Sequence, residues 1–249
     1  SEDVSYFLGD SYYRMDDWVK AVEVFTQIIK NTTSNYLSRV LDKRGRALIR
    51  LKEYQQAIYN YNQLAAFGLN RKDQYLADEG KMISHFHLAN NDSAIHYSLK
   101  IIDSEWKPVG AEAQAQLIQG KVYLNNKQYD KAMTSFQQVM SENKSETAAE
   151  AKYNQAFIQH LRGNYKSSVE TLFSLNEEYA SYDYWIGKSF ILIADNYMKM
   201  NELFQAQATL NSIIEKSPVK SIVEEAKKKL EKLEVERSKV IESDTVKNG

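Results

Sequence analysis

The chain has 249 residues, of which 43% are hydrophobic, and its 32 basic and 33 acidic side chains give a formal net charge of -1. This balance provides no general electrostatic attraction to nucleic acid, and no apolar run approaches the ~18 residues of a membrane span. The absence of cysteine excludes disulfide bonds, thiolate catalysis and cysteine-ligated zinc. We therefore expect no nucleic-acid partner and no direct insertion into a membrane.

A small residue followed twelve positions later by alanine recurs along the chain. The clearest pairs are Gly9 and Ala21, Gly45 and Ala57, Gly120 and Ala132, and Ala194 and Ala206, and degraded copies pair Met82 with Ala94 and Ala156 with Ser168. The second members are separated by 36, 37, 38, 36 and 38 residues, a period typical of stacked repeat proteins. The pattern predicts six repeats, over about residues 3–36, 39–73, 76–110, 113–147, 149–183 and 187–220.

Two antiparallel helices are predicted within each repeat. A large apolar side chain follows the alanine by four residues in most copies, and an aliphatic one comes three residues later in all six, which keeps one helix face apolar. The first of these positions is occupied by Phe25, Tyr61, Phe136, Leu172 and Leu210. A short polar break, such as Asp16-Asp17, leaves room only for a tight turn between the two helices. The predicted fold class is an all-α solenoid.

The chain after Pro218 has a different pattern, which predicts one helix over residues 221–241. Its apolar face is formed by Ile222, Ala226, Leu230 and Leu233. A helix with one apolar and one charged face is suited to cover the last repeat and solvate the end of the stack, and a short coiled-coil segment is the alternative. Residues 242–249 are predicted to form a flexible tail. Because the first repeat begins almost at Ser1, we expect further repeats to precede it in the parent protein.

The repeat pattern resembles the signature of the tetratricopeptide repeat family over about residues 3–220. Two copies carry the resemblance most clearly: Leu8-Gly9-x-x-Tyr12 with Ala21 and Phe25, and Gln119-Gly120-x-x-Tyr123 with Ala132 and Phe136. The resemblance implies helix-turn-helix units stacked into a right-handed superhelix. The units are longer than the 34 residues usual in that family, and the third copy, which has Met82 at the small position, departs most.

The same resemblance implies a binding groove, because the first helices of the family line a concave face. By register, the groove residues are Tyr6, Asp10, Tyr13, Arg39, Arg46, Arg50, Phe86, Lys121, Tyr153, Phe157 and His160. The register also places Ile49, Glu79, Ile83 and His87 there. Aromatic anchors mixed with charge suit a peptide or a partner helix. The Lys/Asn clamp of the family's chaperone-tail subset is not present, since Tyr6 and Asp10 occupy its first two positions.

One helix face carries a basic stripe. Its members, spaced four, three and four residues apart, are Arg39, Lys43, Arg46 and Arg50. Because arginine forms bidentate pairs with carboxylates, the stripe is predicted to receive an acidic segment or a C-terminal carboxylate. The alternative is internal neutralisation of the stripe. The acidic residues that could provide it are Asp10, Asp42 and Glu79.

These features favour a non-catalytic scaffold that binds a protein or peptide partner. The four histidines lack a metal-ligand spacing, and neither a nucleophile set nor a glycine-rich phosphate loop is present, so no metal, cofactor or catalytic activity is expected. The alternative function is a regulatory module that senses a peptide or small ligand and has been cut from a larger protein. The style of the repeats is similar to that of bacterial cell-envelope tetratricopeptide proteins, which favours the periplasm or cell envelope, with the cytoplasm as the alternative.

Overall fold

The computed structural model describes residues 1–68, 70–142 and 144–247, with the side chains of 142 and 236–247 excepted. The described backbone forms thirteen α-helices and contains no strand. In chain order they are α1 (Glu2–Arg14), α2 (Trp18–Ile28), α3 (Leu37–Arg50), α4 (Tyr54–Phe67), α5 (Arg71–His87), α6 (Asn91–Ile102), α7 (Ala111–Asn125), α8 (Tyr129–Glu142), α9 (Glu146–Leu161), α10 (Tyr165–Glu178), α11 (Asp183–Lys199), α12 (Leu203–Lys216) and α13 (Lys220–Lys247). Among these helices, none is both long and apolar enough to cross a bilayer.

The helices are grouped into two compact units, residues 1–127 and 128–249. The first unit contains α1 to α7 and the second contains α8 to α13. Within each unit, helices that are consecutive in the chain pack side by side, and first helices of successive repeats also touch, as α3 touches α5 and α9 touches α11. This confirms the predicted all-α helical repeat fold. The unit boundary falls inside the fourth predicted repeat, between its two helices.

Each of the six turns between the first and second helix of a repeat contains one left-handed residue. The φ angle is 80° at Gly163 and 56° to 62° at the five other positions, Asp16, Lys52, Ala89, Lys127 and Asn201. In five of these turns, those at Asp16, Lys52, Ala89, Gly163 and Asn201, the following N–H donates to the carbonyl five residues back, for example from Asp17 to Tyr12 at 3.0 Å. This bond closes the first helix, and the next residue begins the second helix. The polar break in each repeat is therefore a helix cap followed at once by a helix start.

The periodic positions of the sequence form the core. Ala21, Ala57 and Ala94 are completely buried, as are Phe25 and Leu172 at the next apolar position. In the first repeat, Phe25 packs with Val40 of the following repeat, so each second helix contributes to two neighbouring repeats. The burial confirms the predicted register.

Small residues allow the helices to approach each other closely. A Cβ atom built on Gly9 would lie 2.5 Å from the ring of Phe25, and one built on Gly45 would lie 2.5 Å from the ring of Tyr61. Glycine inside a helix costs about 1 kcal/mol relative to alanine. Ring packing against the bare backbone offsets that cost.

The helix α13 packs against α11 and α12. Its residues Ile222 and Leu233 are buried, and a Cβ on Gly187 of α11 would lie 2.7 Å from Ile222. The helix continues to Lys247, past the predicted end at residue 241. The flexibility of 242–249 stays a prediction, and its last two residues lie outside the described ones.

Candidate functional site

Two of the predicted groove residues are almost fully buried in the first repeat. Tyr6 is 8% exposed and stacks on Tyr36 with ring centroids 4.2 Å apart. The carboxylate of Asp10 pairs with Lys43 and with Arg14, whose Nε lies 2.8 Å away. Burial acts to raise the pKa of Asp10, but the hydrogen bonds and charges of Lys43 and Arg14 outweigh it and lower the pKa. Both side chains are held by contacts of the chain itself, which leaves little of them for a ligand.

The basic stripe is partly neutralised from within. Arg46 donates from Nε to Asp42 at 3.0 Å and from a terminal nitrogen to Glu79 at 3.0 Å. The other oxygen of Glu79 accepts a 2.7 Å hydrogen bond from the hydroxyl of Tyr75. Burial acts to lower the pKa of Arg46, but Asp42 and Glu79 outweigh it and raise the pKa. For Arg46 and Lys43, therefore, the structure shows the neutralised arrangement.

The two outer members of the stripe differ from the inner pair. Arg39 and Arg50 are exposed, and neither makes an ion pair within the part of the chain that the structure describes. They lie beside different cavities. Arg39 borders one of about 940 Å³ together with Asp42 and Lys43. Arg50 borders a smaller cleft in which more of the predicted groove residues meet.

We call this smaller cavity, of about 430 Å³, the Arg50 cleft. Its lining comes from α1, α3, α4, α5 and the turn after α3, and consists of Tyr13, Arg46, Ile49, Arg50, Lys52, Tyr54, Tyr61, Glu79, Gly80, Ile83 and His87. Seven of these were placed in the groove by register, and the structure brings them together. The four that the sequence reasoning missed are Lys52, Tyr54, Tyr61 and Gly80.

The Arg50 cleft carries an excess of positive charge. Lys52 is exposed and, like Arg50, makes no ion pair within the described residues. Glu79 is the single acidic residue of the lining, and Arg46 already neutralises it. The unpaired cations of the cleft therefore favour a negatively charged ligand.

Aromatic rings form one wall of the cleft. The rings of Tyr54 and His87 are stacked, with centroids 4.7 Å apart and planes 9° from parallel. Burial, followed by the charges of Lys121 and Lys52, lowers the pKa of His87, so its imidazole is neutral at neutral pH. Burial also raises the pKa of Tyr13, another ring of the lining, which keeps its hydroxyl protonated and able to donate. The wall is flat and uncharged.

Phe86 and Lys121 contact each other in the first unit. The ammonium of Lys121 lies 5.3 Å from the ring centroid of Phe86, a cation–π contact. Neither residue lines the Arg50 cleft, although Lys121 acts on it through the pKa of His87.

The three predicted groove residues of the second unit form an aromatic row along α9. Successive ring centroids are 6.4 Å apart for Tyr153 and Phe157 and 6.2 Å apart for Phe157 and His160, with planes within 8° of parallel. Trp185 of α11 packs on Tyr153 at 5.5 Å. We call these four residues the aromatic row.

A buried hydrogen-bond chain fixes the tautomer of His160. Its Nδ1 lies 2.8 Å from Oδ1 of Asn196, and the amide of Asn196 donates to the hydroxyl of Ser168 at 2.9 Å. Ser168 in turn donates to the carbonyl of Ala156 at 2.8 Å. Because Asn196 can only accept at Oδ1, the proton of the neutral imidazole must be on Nδ1. The amide therefore holds the ring in a defined orientation.

Metal binding has no support in the described ranges. No group of three or more histidine, aspartate or glutamate side chains there lies close enough to hold a metal ion. The chemistry on offer at both surfaces is hydrogen bonding, charge and ring packing.

Comparison with known proteins gives the following matches. A family model described as "Tetratricopeptide repeat" matches residues 3–31 and 114–144, and no curated protein matches the chain. A tetratricopeptide repeat protein from Parabacteroides merdae is similar in structure, with a TM-score of 0.72 and 18% identity over 95% of this chain and 88% of that one. The apo form of RapI is similar with a TM-score of 0.66 and 16% identity, over 96% of this chain and 72% of that one. MamA from Desulfovibrio magneticus is similar with a TM-score of 0.60 and 15% identity, over 73% of this chain and 97% of that one.

At these identities the solved structures establish the fold alone. The family model adds sequence support, because its two matches fall on the two copies with the clearest signature. Proteins built from this repeat are generally non-catalytic scaffolds for other proteins. The family model therefore shows tetratricopeptide repeats at residues 3–31 and 114–144, and the solved structures show that most of the chain has the helical repeat fold of such proteins.

Proposed function

We propose that this chain is a non-catalytic interaction scaffold that binds an acidic peptide segment of a partner protein in the Arg50 cleft. The observation that carries the proposal is the contrast within one helix: Arg46 is neutralised by Asp42 and Glu79, whereas Arg50 is exposed without an ion pair among the described residues. A guanidinium without an internal carboxylate is available to form a bidentate pair with a carboxylate of a ligand. Lys52 adds a second positive charge to the same cleft.

The remainder of the cleft suits a peptide. Ile49 and Ile83 provide aliphatic contacts, and the stacked pair of Tyr54 and His87 provides a flat surface on which a peptide side chain can pack. Aromatic and arginine side chains are the commonest energetic anchors of protein interfaces. In this proposal, the charges of Arg50 and Lys52 select an acidic segment, and the rings of Tyr54 and His87 bury apolar area of the ligand.

The test uses a fluorescently labelled heptapeptide, Glu-Ala-Glu-Ala-Glu-Ala-Glu, and its glutamine counterpart, with binding followed by fluorescence anisotropy. We expect the acidic peptide to bind more tightly than the glutamine peptide. Arg50→Gln should weaken acidic-peptide binding by about tenfold, since a hydrogen bond to a charged group contributes about 1.5 kcal/mol or more.

The matched control is Arg39→Gln. Arg39 lies in the same helix, is also exposed and also lacks an ion pair among the described residues, and its replacement changes the net charge equally. We expect it to leave affinity nearly unchanged because it lies outside the cleft. Equal loss in both variants, or no binding of the acidic peptide to the unaltered chain, would refute the proposed function.

A further inference from the structure

Tyr61 lines the Arg50 cleft although its side chain is almost fully buried. It belongs to α4, and its ring passes between α3 and α5 where two glycines face each other. A Cβ built on Gly45 would lie 2.8 Å from the hydroxyl oxygen of Tyr61, and one built on Gly80 would lie 2.1 Å from its ring. Real Cβ atoms do not approach other atoms so closely, so both helices need glycine here for the ring to reach the cleft.

The hydroxyl of Tyr61 is a donor without an internal acceptor among the described residues. The side chain is 1% exposed, yet it lines the cleft, and no hydrogen bond to its hydroxyl occurs among the described residues. A tyrosine hydroxyl normally has a hydrogen-bond partner in the protein or in solvent, so this one is available to a ligand in the cleft. Glu79, the single acidic residue of the lining, accepts from Tyr75 and Arg46 and not from Tyr61. Burial, with the charge of Asp42 next in size, raises the pKa of Tyr61 and keeps the proton on the hydroxyl.

Comparison with the other repeats shows that packing does not require this hydroxyl. Phe25 and Phe136 occupy the equivalent position and are completely buried. Phe25 even packs on a glycine in the same way, with a Cβ on Gly9 falling 2.5 Å from its ring. Among the three aromatic residues at this position, Tyr61 alone adds a polar atom, and Tyr61 lines the cleft.

We propose that Tyr61 is a specificity-determining residue of the Arg50 cleft, whose hydroxyl donates a hydrogen bond to a carboxylate of the bound acidic segment. The proposal rests on the proposed function and deepens it. Arg50 is exposed and Tyr61 is 1% exposed, and both line the cleft. In the proposed arrangement, each donates to one oxygen of the ligand carboxylate. A side-chain amide has one acceptor oxygen and turns its NH₂ group towards one of these two donors. The cleft is therefore selective for acid over amide.

The test is Tyr61→Phe, measured with the same acidic heptapeptide and, by competition, with its glutamine counterpart. We expect acidic-peptide affinity to fall about tenfold, the effect of losing one hydrogen bond to a charged group, while glutamine-peptide affinity stays within twofold. Because phenylalanine already fits the equivalent position in two repeats, the thermal midpoint of the variant should match that of the unaltered chain.

The outcomes separate this inference from the proposed function. If Arg50→Gln weakens binding and Tyr61→Phe does not, the role of Tyr61 is refuted while the cleft remains the binding site. Equal loss of both peptides in Tyr61→Phe would show a packing effect and would also refute it. If the unaltered chain does not bind the acidic peptide, both proposals fail together.

Discussion

The Arg50 cleft and the aromatic row use the same positions of the repeat for opposite chemistry. Counted back from the small residue that recurs in the second helix, Arg46 of the cleft and its partner Asp42 correspond to Phe157 and Tyr153 of the fifth repeat. The first pair forms a 3.0 Å ion pair, whereas the second pair forms parallel stacked rings. The repeat fold therefore accommodates either charged or aromatic side chains at these positions of its first helices.

The surroundings of the two surfaces also differ. Beside the aromatic row, Lys188 is paired with Glu225 at 3.1 Å and Lys229 with Asp195 at 2.7 Å. In the Arg50 cleft, Arg50 has no such partner among the described residues. The difference teaches that a basic residue indicates a binding site only when the fold does not already supply its counter-charge.

The largest expected effect is at the glycine that admits Tyr61. Gly80→Val should lower the free energy of unfolding by about 3 kcal/mol, the upper end for overpacking a core, since even a Cβ there lies 2.1 Å from the ring. Urea denaturation of the variant measures it. Adding Tyr61→Leu should recover part of the loss. A neutral Gly80→Val would contradict the close approach of α5 to Tyr61.

The next largest effect is expected at the ion pairs that Arg46 forms with Asp42 and Glu79. Arg46→Met should cost about 2 kcal/mol, because it leaves Asp42 and Glu79 partly buried without their shared counter-charge. Adding Asp42→Asn should restore stability in part, as expected for interacting neighbours. Additive losses in the double variant would mean that the pair is not coupled, contrary to the structure.

A smaller effect is expected in the turns. Gly163→Ala in the second unit should cost about 1 kcal/mol, because its φ of 80° is unfavourable for a side chain. Ala89→Gly in the first unit is the reciprocal change at φ 56°, and it should be neutral or stabilise slightly. Thermal unfolding of both variants checks the pair, and destabilisation by Ala89→Gly would contradict the shared turn conformation.

The smallest effect is the pH dependence contributed by His87. Burial, and then Lys121 and Lys52, lowers its pKa in the folded chain, so the unfolded chain binds the proton more tightly. The contribution to stability is therefore fully present above the ordinary histidine pKa of about 6.5 and is lost as pH falls through the folded pKa. His87→Phe should flatten the dependence of urea midpoints on pH between neutral and mildly acidic conditions. An unchanged slope would place the titration elsewhere.

Much of the fold follows from the sequence because the core is periodic. The positions of Ala21 and Phe25 recur in register, so one local pattern specifies every helix pair and its buried face. The sequence pattern gives about residue 76 as the start of the third repeat, whereas α5 begins at Arg71. The missed signal was Asn70, whose side chain caps the helix by accepting from the N–H of Asp73 at 2.9 Å.

The candidate site was less accessible to sequence reasoning. The register predicts Tyr13, Arg46 and Arg50 as groove residues, and the structure brings them into the lining of one cleft. The neutralisation alternative named the acidic partners that the structure shows. The sequence predicts Tyr61 only as a core residue, because a tyrosine at a periodic apolar position gives no indication of what surrounds its hydroxyl. Gly80 falls two residues before the position at which the pattern has Met82, so its role becomes visible only when α4 and α5 are packed together.

The most direct test of the account uses the indole N–H signals of Trp18 and Trp185 in two-dimensional NMR during titration with the acidic heptapeptide. The ring of Trp18 packs edge-on against Tyr13 of the Arg50 cleft at 5.2 Å, whereas Trp185 belongs to the aromatic row. If acidic segments bind in the Arg50 cleft, the Trp18 signal shifts in a saturable manner and the Trp185 signal stays in place. A shift of Trp185 with Trp18 unchanged would contradict the account.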